Sequence, residues 1–420
     1  MSLGAVGAAV LMLGMQSGTE VPYAPMPAPA PAPGASVCAE GICGVEALEG
    51  VFEALQAAEI GQGERPVHIL QIGDSHTAGD RITGALRARL QARFGAGGRG
   101  VLPPGVPYAG YGPMQVEVTA RDWPISVAPL TGPDGAATLR AGLSGARSEA
   151  GEGAVLSLTA EPGAAFDIVG LCGDSGPQAG RITATTPDET VEAEFRATEA
   201  APLCRSLRLG AVTTSIRLSP KGAVALHDVW IERSGPGVVV SNLGVIGAKL
   251  RDLAARDQAV VAAELEAWRP SLIILAFGVN DGFEGVESEA YAGLLRGQIE
   301  RLRRLVPGAS LLILGAPEGL KSGMAGGCGA DGSPAAPASL AVVRDVQRRV
   351  AGETGVAFWD WYGRMGGDCS AERLATLPEP YMRPDRVHFT SIGAEWIGGV
   401  LSEDLIGAHD RWKAAKGEAD

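Results

Sequence analysis

The sequence has little with which to hold nucleic acid or metal. Lys and Arg total 35 against 48 Asp and Glu, a formal charge of -13, and no basic run breaks that balance. Such a chain repels phosphate backbones and anionic membrane surfaces, so neither is expected as the main partner. Only five histidines occur, and the six cysteines form no Cys-x-x-Cys pair. A metal cluster is therefore not expected, and nothing points to a cofactor. No Lys or Arg precedes Arg65, so the apolar run over residues 4–15 lacks the basic flank of an ordinary signal peptide. That run is also short for a bilayer span. The glycine-rich stretch over 95–105 lacks the Gly-Lys-Ser/Thr ending of a phosphate loop and follows a helical pattern instead of preceding one. There is no internal repeat, and nothing resembles an amphipathic lid.

What is present describes an ordinary globular protein with an unusual start. The chain has 420 residues, 46% hydrophobic and 20% charged, which is room for two domains with buried cores. Cys38, Cys43, Cys172, Cys204, Cys328 and Cys369 are even in number and widely spaced. This pattern suggests three disulfides and an oxidising compartment, most economically paired 38–43, 172–204 and 328–369. The alternative is six reduced, buried thiols. After the apolar run, residues 22–33 alternate Pro and Ala, a stiff extended spacer that builds no core. We read 1–44 as an apolar leader and linker of an exported protein, periplasmic or extracellular. The leader would act as an unusual signal or a membrane tether, or else the true start lies upstream.

Periodicity divides the remainder. Residues 45–58 and 81–94 have helical spacing around a buried strand at 66–72. From about 108 to 237 the helical period disappears. Short alternating runs at 115–119, 154–159, 166–169, 190–195, 215–218 and 224–231 are separated by Gly, Pro and Asp, the pattern of an antiparallel sandwich. Strand-helix alternation then resumes: strands at 238–243, 272–277, 310–314 and 356–360, helices at 248–267, 288–305, 340–351 and 391–406. Repeated units of this kind imply a parallel sheet covered on both faces. The expected organisation is one α/β domain in two parts, 45–107 and 238–410, interrupted by an inserted β-rich domain at 108–237 and followed by a tail at 411–420.

Four loops at strand ends carry polar residues: Gly73-Asp74-Ser75-His76, Gly244-Val245-Ile246-Gly247-Ala248, Gly278-Val279-Asn280-Asp281, and Asp385-Arg386-Val387-His388-Phe389-Thr390. Carboxyl ends of parallel strands are where open α/β sheets place chemistry. The set fits acyl transfer. Ser75 needs a base to become a nucleophile, His388 can take its proton, and Asp385 can orient His388. Backbone N–H groups of Ser75 and Gly247, with the Asn280 side chain, would form an oxyanion hole. His68 and His227 lie in strand patterns and His409 near the end, so they are poor bases. Asp74 and Asp281 suit turn-fixing roles, and Trp359 and Trp361 are more often core than sugar platforms.

These loops resemble, in order, the first, second, third and fifth blocks of the SGNH (GDSL-type) hydrolase superfamily. The closest resemblance is to its exported group with a Gly-Asp-Ser-His first block, which includes peptidoglycan O-acetylesterases. Gly97-Gly98-Arg99-Gly100, Phe358-Trp359-Asp360-Trp361-Tyr362 and Met365-Gly366-Gly367 extend the likeness, which covers about 66–105 and 238–406. His76 stands where the founding motif has Leu, and Ile246 where relatives often have Asn. The resemblance implies a three-layer α/β/α, flavodoxin-like domain with an inserted antiparallel sandwich. It implies a serine esterase removing O-acetyl groups from an envelope or extracellular polysaccharide, most of all peptidoglycan. His76, Asp74, Asp281, Trp359 and Met365 are the candidate substrate-pocket residues. Two other readings use the same sequence. One is an O-acetyltransferase with the same triad. The other is a non-catalytic binding or assembly factor of an exopolysaccharide (for example cellulose) secretion system, with envelope or secretion partners.

Overall fold

The computed structural model describes residues 30–128, 139–322, 327–328 and 334–417. Contacts divide the chain into residues 1–31 and 32–420, and the second unit is the subject below. The expected apolar leader and most of the Pro/Ala spacer lie outside the described residues.

Five parallel strands form the central sheet: Val67–Gly73, Val238–Gly244, Leu272–Ala276, Ser310–Leu314 and Ala357–Trp359. In chain order they lie 2-1-3-4-5 across the sheet, the flavodoxin-like arrangement. Alternate residues point to opposite faces, which builds two cores. Ile69, Val240, Ile274 and Leu312 meet the helices Glu49–Glu59, Arg81–Phe94 and Ser391–Gly417. Leu70, Leu243, Ile273 and Leu311 meet Gln258–Trp268, Ser288–Leu305 and Ala338–Thr354. Strand order reverses beside Val67–Gly73, so its carboxyl end and that of Leu272–Ala276 form the switch-point crevice where such sheets bind ligands.

The insertion is a pair of antiparallel sheets around a third core that includes Leu158, Phe166, Leu171, Leu218 and Val229. It is stitched to the parallel domain. Gly100–Leu102 pairs with Val229–Ile231, and the Val101 N–H donates to Ser241 Oγ at 2.9 Å. The Cys172–Cys204 disulfide lies at this junction, with Cys204 Sγ 3.4 Å from the Ala263 carbonyl. The other bridges are Cys38–Cys43 and Cys328–Cys369, so all three match the economical pairing.

Several boundaries differ from the sequence reading. The linker does not extend to residue 44. The Gly34 N–H donates to Arg364 O at 2.9 Å, the Val37 N–H to Asp360 Oδ2 at 2.8 Å, and Ile42–Cys43 adds antiparallel to the sheet edge. The disulfide there closes a turn too tight for a free spacer. The expected helix at 248–267 is two, Leu250–Ala254 and Gln258–Trp268, because the Asp257 carboxylate accepts from the Ala259 and Val260 N–H groups and caps a new start. The last helix runs on to Gly417, so the expected tail at 411–420 is largely helical. Lys413 and Lys416 pair there with Glu59 and Glu53. Strands Ile125–Val127, Ala146–Ala150, Arg181–Thr185 and Ala201–Thr213 were not expected. They are short or mixed in pattern, and cross-strand register imposes them.

Asp228 and Glu264 are fully buried where the insertion meets the Gln258–Trp268 helix. Burial pushes both carboxyls up, and the Glu264 charge adds to the rise at Asp228. Burial also takes Glu232 and Asp281 up to about 7. Acids raised in the folded state contribute stability at low pH and lose it as pH rises through the folded value. His68, lowered to about 3 by burial and Arg65, acts with opposite sign only below its usual 6.5. Four raised acids outnumber His68, so the melting temperature should fall between about pH 5 and the folded values near 7, and Asp228→Asn should flatten the slope. A melting temperature that rises across that interval would contradict this assignment.

Candidate active site

Ser75 opens a one-turn helix, Ser75–Ala78, directly after the Val67–Gly73 strand. The turn is held from three sides. Asp74 caps it through the His76 N–H at 2.9 Å, Gln71 Nε2 donates to Thr77 Oγ1 at 3.0 Å, and Asn242 Nδ2 donates to the Thr77 carbonyl. Gly244 is required beside it, because a Cβ there would collide with the Ala78 backbone.

Asp80, just beyond this turn, anchors a buried charge network. Its Oδ1 accepts from Thr83 Oγ1 at 2.6 Å and Arg87 Nη2 at 2.9 Å, and its Oδ2 from Arg99 Nη2 at 2.9 Å and the Met114 N–H at 2.7 Å. Burial opposes the Asp80 charge, but the two guanidinium groups outweigh it and hold the carboxyl far below its usual range.

The loop before the final helix brings the other partners. Ser75 Oγ lies 3.0 Å from His388 Nε2, and His388 Nδ1 lies 2.9 Å from Asp385 Oδ2. A carboxylate only accepts, so Nδ1 carries the hydrogen and Nε2 is free to receive the Ser75 proton. Asp385 Oδ1 also accepts from the Val387 and His388 N–H groups, both at 2.9 Å. Burial pushes the Asp385 carboxyl up, but those donors and the imidazole outweigh it and hold it below its usual value.

The second and third blocks sit opposite. Gly247 adopts a left-handed φ of 75°, and neither its N–H nor that of Ser75 has a hydrogen-bond acceptor among the described residues. Asn280 Nδ2 spends one hydrogen on the Ala248 carbonyl at 3.0 Å, which ties the two blocks together. Asp281 Oδ1 accepts from the Leu250 N–H at 3.2 Å.

Ser75, His76 and His388 line an open cleft of about 630 Å³, with Arg81, Tyr108, Ile246 and Arg383. A smaller pocket of about 220 Å³, flanked by Tyr111, Pro113 and Val245, shares the wall formed by Ala78, Tyr108 and Ile246. Of the five expected pocket residues, only His76 reaches the cleft. Asp74 and Asp281 are buried turn anchors. Trp359 is in the core with its Nε1–H donating to Asp404 Oδ2 at 2.8 Å. Met365 is buried too, its Sδ accepting from the Glu318 N–H at 3.2 Å. Sequence reasoning missed Tyr108, whose Oη donates to the Ala78 carbonyl at 3.0 Å, and Arg81 and Arg383. The Tyr108/Tyr111 pair in a Pro- and Gly-rich loop was the available signal for the first of these.

A second Ser–His–acid set occurs in the core: Ser241 Oγ is 2.7 Å from His68 Nε2, and His68 Nδ1 is 3.2 Å from Glu232. All three residues are buried, so no substrate reaches them. Access, as much as geometry, distinguishes the Ser75 set. Among the described residues, no His, Cys, Asp and Glu cluster could hold a metal ion.

A flavodoxin-like sheet with a Ser–His–Asp set at its switch point is the arrangement seen in SGNH-type α/β hydrolases. Residues 215–396 match the GDSL-like Lipase/Acylhydrolase family, a span that holds Gly247, Asn280, Asp385 and His388 and leaves Ser75 outside. No curated protein matches the chain. Among solved structures, one described as a peptidoglycan O-acetylesterase in action is similar at 28% identity and a TM-score of 0.74, covering 86% of this chain and 96% of its own. A family two carbohydrate esterase from Cellvibrio japonicus is far more distant, at 11% identity and a TM-score of 0.28, covering 70% of this chain and 99% of its own. The chain is thus similar to the SGNH (GDSL-type) hydrolases in its fold and in the order of its site loops.

Proposed function

We propose that this chain is an exported carbohydrate O-acetylesterase acting on peptidoglycan through an acyl-enzyme on Ser75. Ser75 Oγ attacks the acetyl carbonyl while His388 Nε2 takes its proton. Asp385 keeps the imidazole oriented and stabilises its cationic form. The Ser75 and Gly247 N–H groups and the second Asn280 Nδ2 hydrogen receive the oxyanion. His388 then returns the proton to the departing sugar hydroxyl, and the acetyl group remains on Ser75. Water, deprotonated by His388, attacks this ester, and acetate leaves as Ser75 Oγ is reprotonated. The observation that carries the reading is the Ser75–His388–Asp385 relay, at 3.0 and 2.9 Å, in an open cleft.

Three disulfides support export to an oxidising compartment. No helix among the described residues is long and apolar enough to cross a membrane. The similar O-acetylesterase structure supports the substrate class. Acetate release should be measured on acetylated peptidoglycan, xylan and cellulose, with the glycan products analysed. The expected result is release from peptidoglycan at least about tenfold faster than from the others, which needs only about 1.4 kcal/mol of discrimination. Acetyl transfer onto a glycan acceptor in place of free acetate would favour the transferase reading. No release from any glycan would leave only the binding or assembly reading.

A further inference from the structure

We propose that His76 is a positioning residue: an imidazolium that ties the nucleophile turn to the base loop and holds positive charge against the His388 ring. This rests on reading His388 as the base of the reaction. The first observation is a hydrogen-bond count. His76 Nδ1 lies 3.0 Å from Asp74 Oδ1, and Nε2 lies 2.8 Å from the Val387 carbonyl. A carboxylate and a carbonyl oxygen both only accept, so both ring nitrogens must carry hydrogen. A ring with two N–H groups is charged. The second observation is where those bonds end. Asp74 precedes the nucleophile, and Val387 precedes the base, so one side chain fixes both halves of the Ser75–His388 contact. The third is stacking: the His76 and His388 rings lie 5.5 Å apart at 26°.

The surroundings keep the charge in place. Trp361 and Phe389 meet the His76 ring in edge-to-face geometry and add no hydrogen-bond acceptor beside it. The titratable groups facing the two rings are Asp74, Asp385 and Ser75, with Asp281 acting on the Asp74 side and Arg81 and Arg383 lining the cleft. Burial works against a proton on His76. Asp74, the Val387 carbonyl and Asp385 outweigh it and raise its pKa above the usual value.

Removing the strut frees the base loop, which lowers kcat more than it alters KM.

His76→Leu tests this on p-nitrophenyl acetate. The expected result is a fall in kcat of about tenfold or more, with KM within about twofold. His76→Gln, which regains one donor and no charge, should recover part of kcat. In wild-type protein, nitrogen-resolved NMR should show two His76 ring N–H protons at pH 7, reduced to one in Asp74→Asn. One ring proton in the wild type, or an unchanged kcat in His76→Leu, overturns the proposal. If His76→Leu fails to fold, the wild-type NMR measurement decides alone. Full activity in Ser75→Ala would remove the reaction scheme while leaving the ring-proton count as it stands.

Discussion

Replacing Ser75 with alanine should lower the hydrolysis of p-nitrophenyl acetate by about 10⁴- to 10⁶-fold, with the fold intact by circular dichroism. The magnitude follows from what the alanine removes. The Oγ is the atom that would form the covalent intermediate, and water has no other base-linked nucleophile to replace it. The oxyanion donors survive, so a small residual rate over solution is expected. Asp385→Asn should cost about 10² to 10⁴ and not more, because Ser75 and His388 keep their 3.0 Å contact while the imidazole loses its carboxylate anchor. A loss in Asp385→Asn larger than in Ser75→Ala would reverse the assigned roles.

The largest stability effect is expected at Asp80. Arg87 and Arg99 are both fully buried, and Asp80 is the carboxylate that neutralises them. Asp80→Ala would leave two buried cations facing each other with no anion between them. Breaking such a set typically costs about 3–5 kcal/mol. The exposed Arg89–Glu403 pair is the control, since Arg89→Ala should change stability by less than about 1 kcal/mol. Urea unfolding of both variants gives the comparison. Because Asp80 also receives Asn242 Nδ2, which holds the nucleophile turn, activity at temperatures below the transition should fall as well. Equal destabilisation by the two substitutions would show that the network is solvated in solution.

The parallel sheet was legible because its strands are buried on both faces and read as near-continuous apolar runs. Leu272 to Ala276 and Ser310 to Leu314 are examples, and the Arg81–Phe94 and Ser288–Leu305 helices appeared at their observed limits. The four loops were legible because each follows a strand or precedes a helix whose period is clear. The edges of the insertion were not. Ala201–Thr213 is mostly exposed, carries Pro202, and is held by its register with Phe166–Ser175, which no local pattern encodes. The linker boundary failed for a similar reason: Ile42–Cys43 is a strand only because Phe358 and Trp359 offer it an edge.

Within the site, residue roles read from loops fared better than pocket membership. The Ser75, His388 and Asp385 side chains are adjacent in space, as their chemistry required. Trp359 and Met365 were drawn toward the pocket by proximity to motif positions, yet packing against the last helix and Glu318 takes them into the core. The Asp80–Arg87–Arg99 network was invisible for a different reason. Its three members lie on separate turns, and nothing in a charged residue's sequence context says that it will be buried.

The most direct test of the central claim is to quench the enzyme during turnover of an acetyl ester and map acetyl groups by peptide mass spectrometry. One acetyl group is expected on the peptide containing Ser75, absent from Ser75→Ala and accumulating in His388→Ala supplied with an activated ester, where the water that would release it has no base. An enzyme that turns over while Ser75 stays unmodified under every quench condition, or that retains its rate in Ser75→Ala, would contradict it.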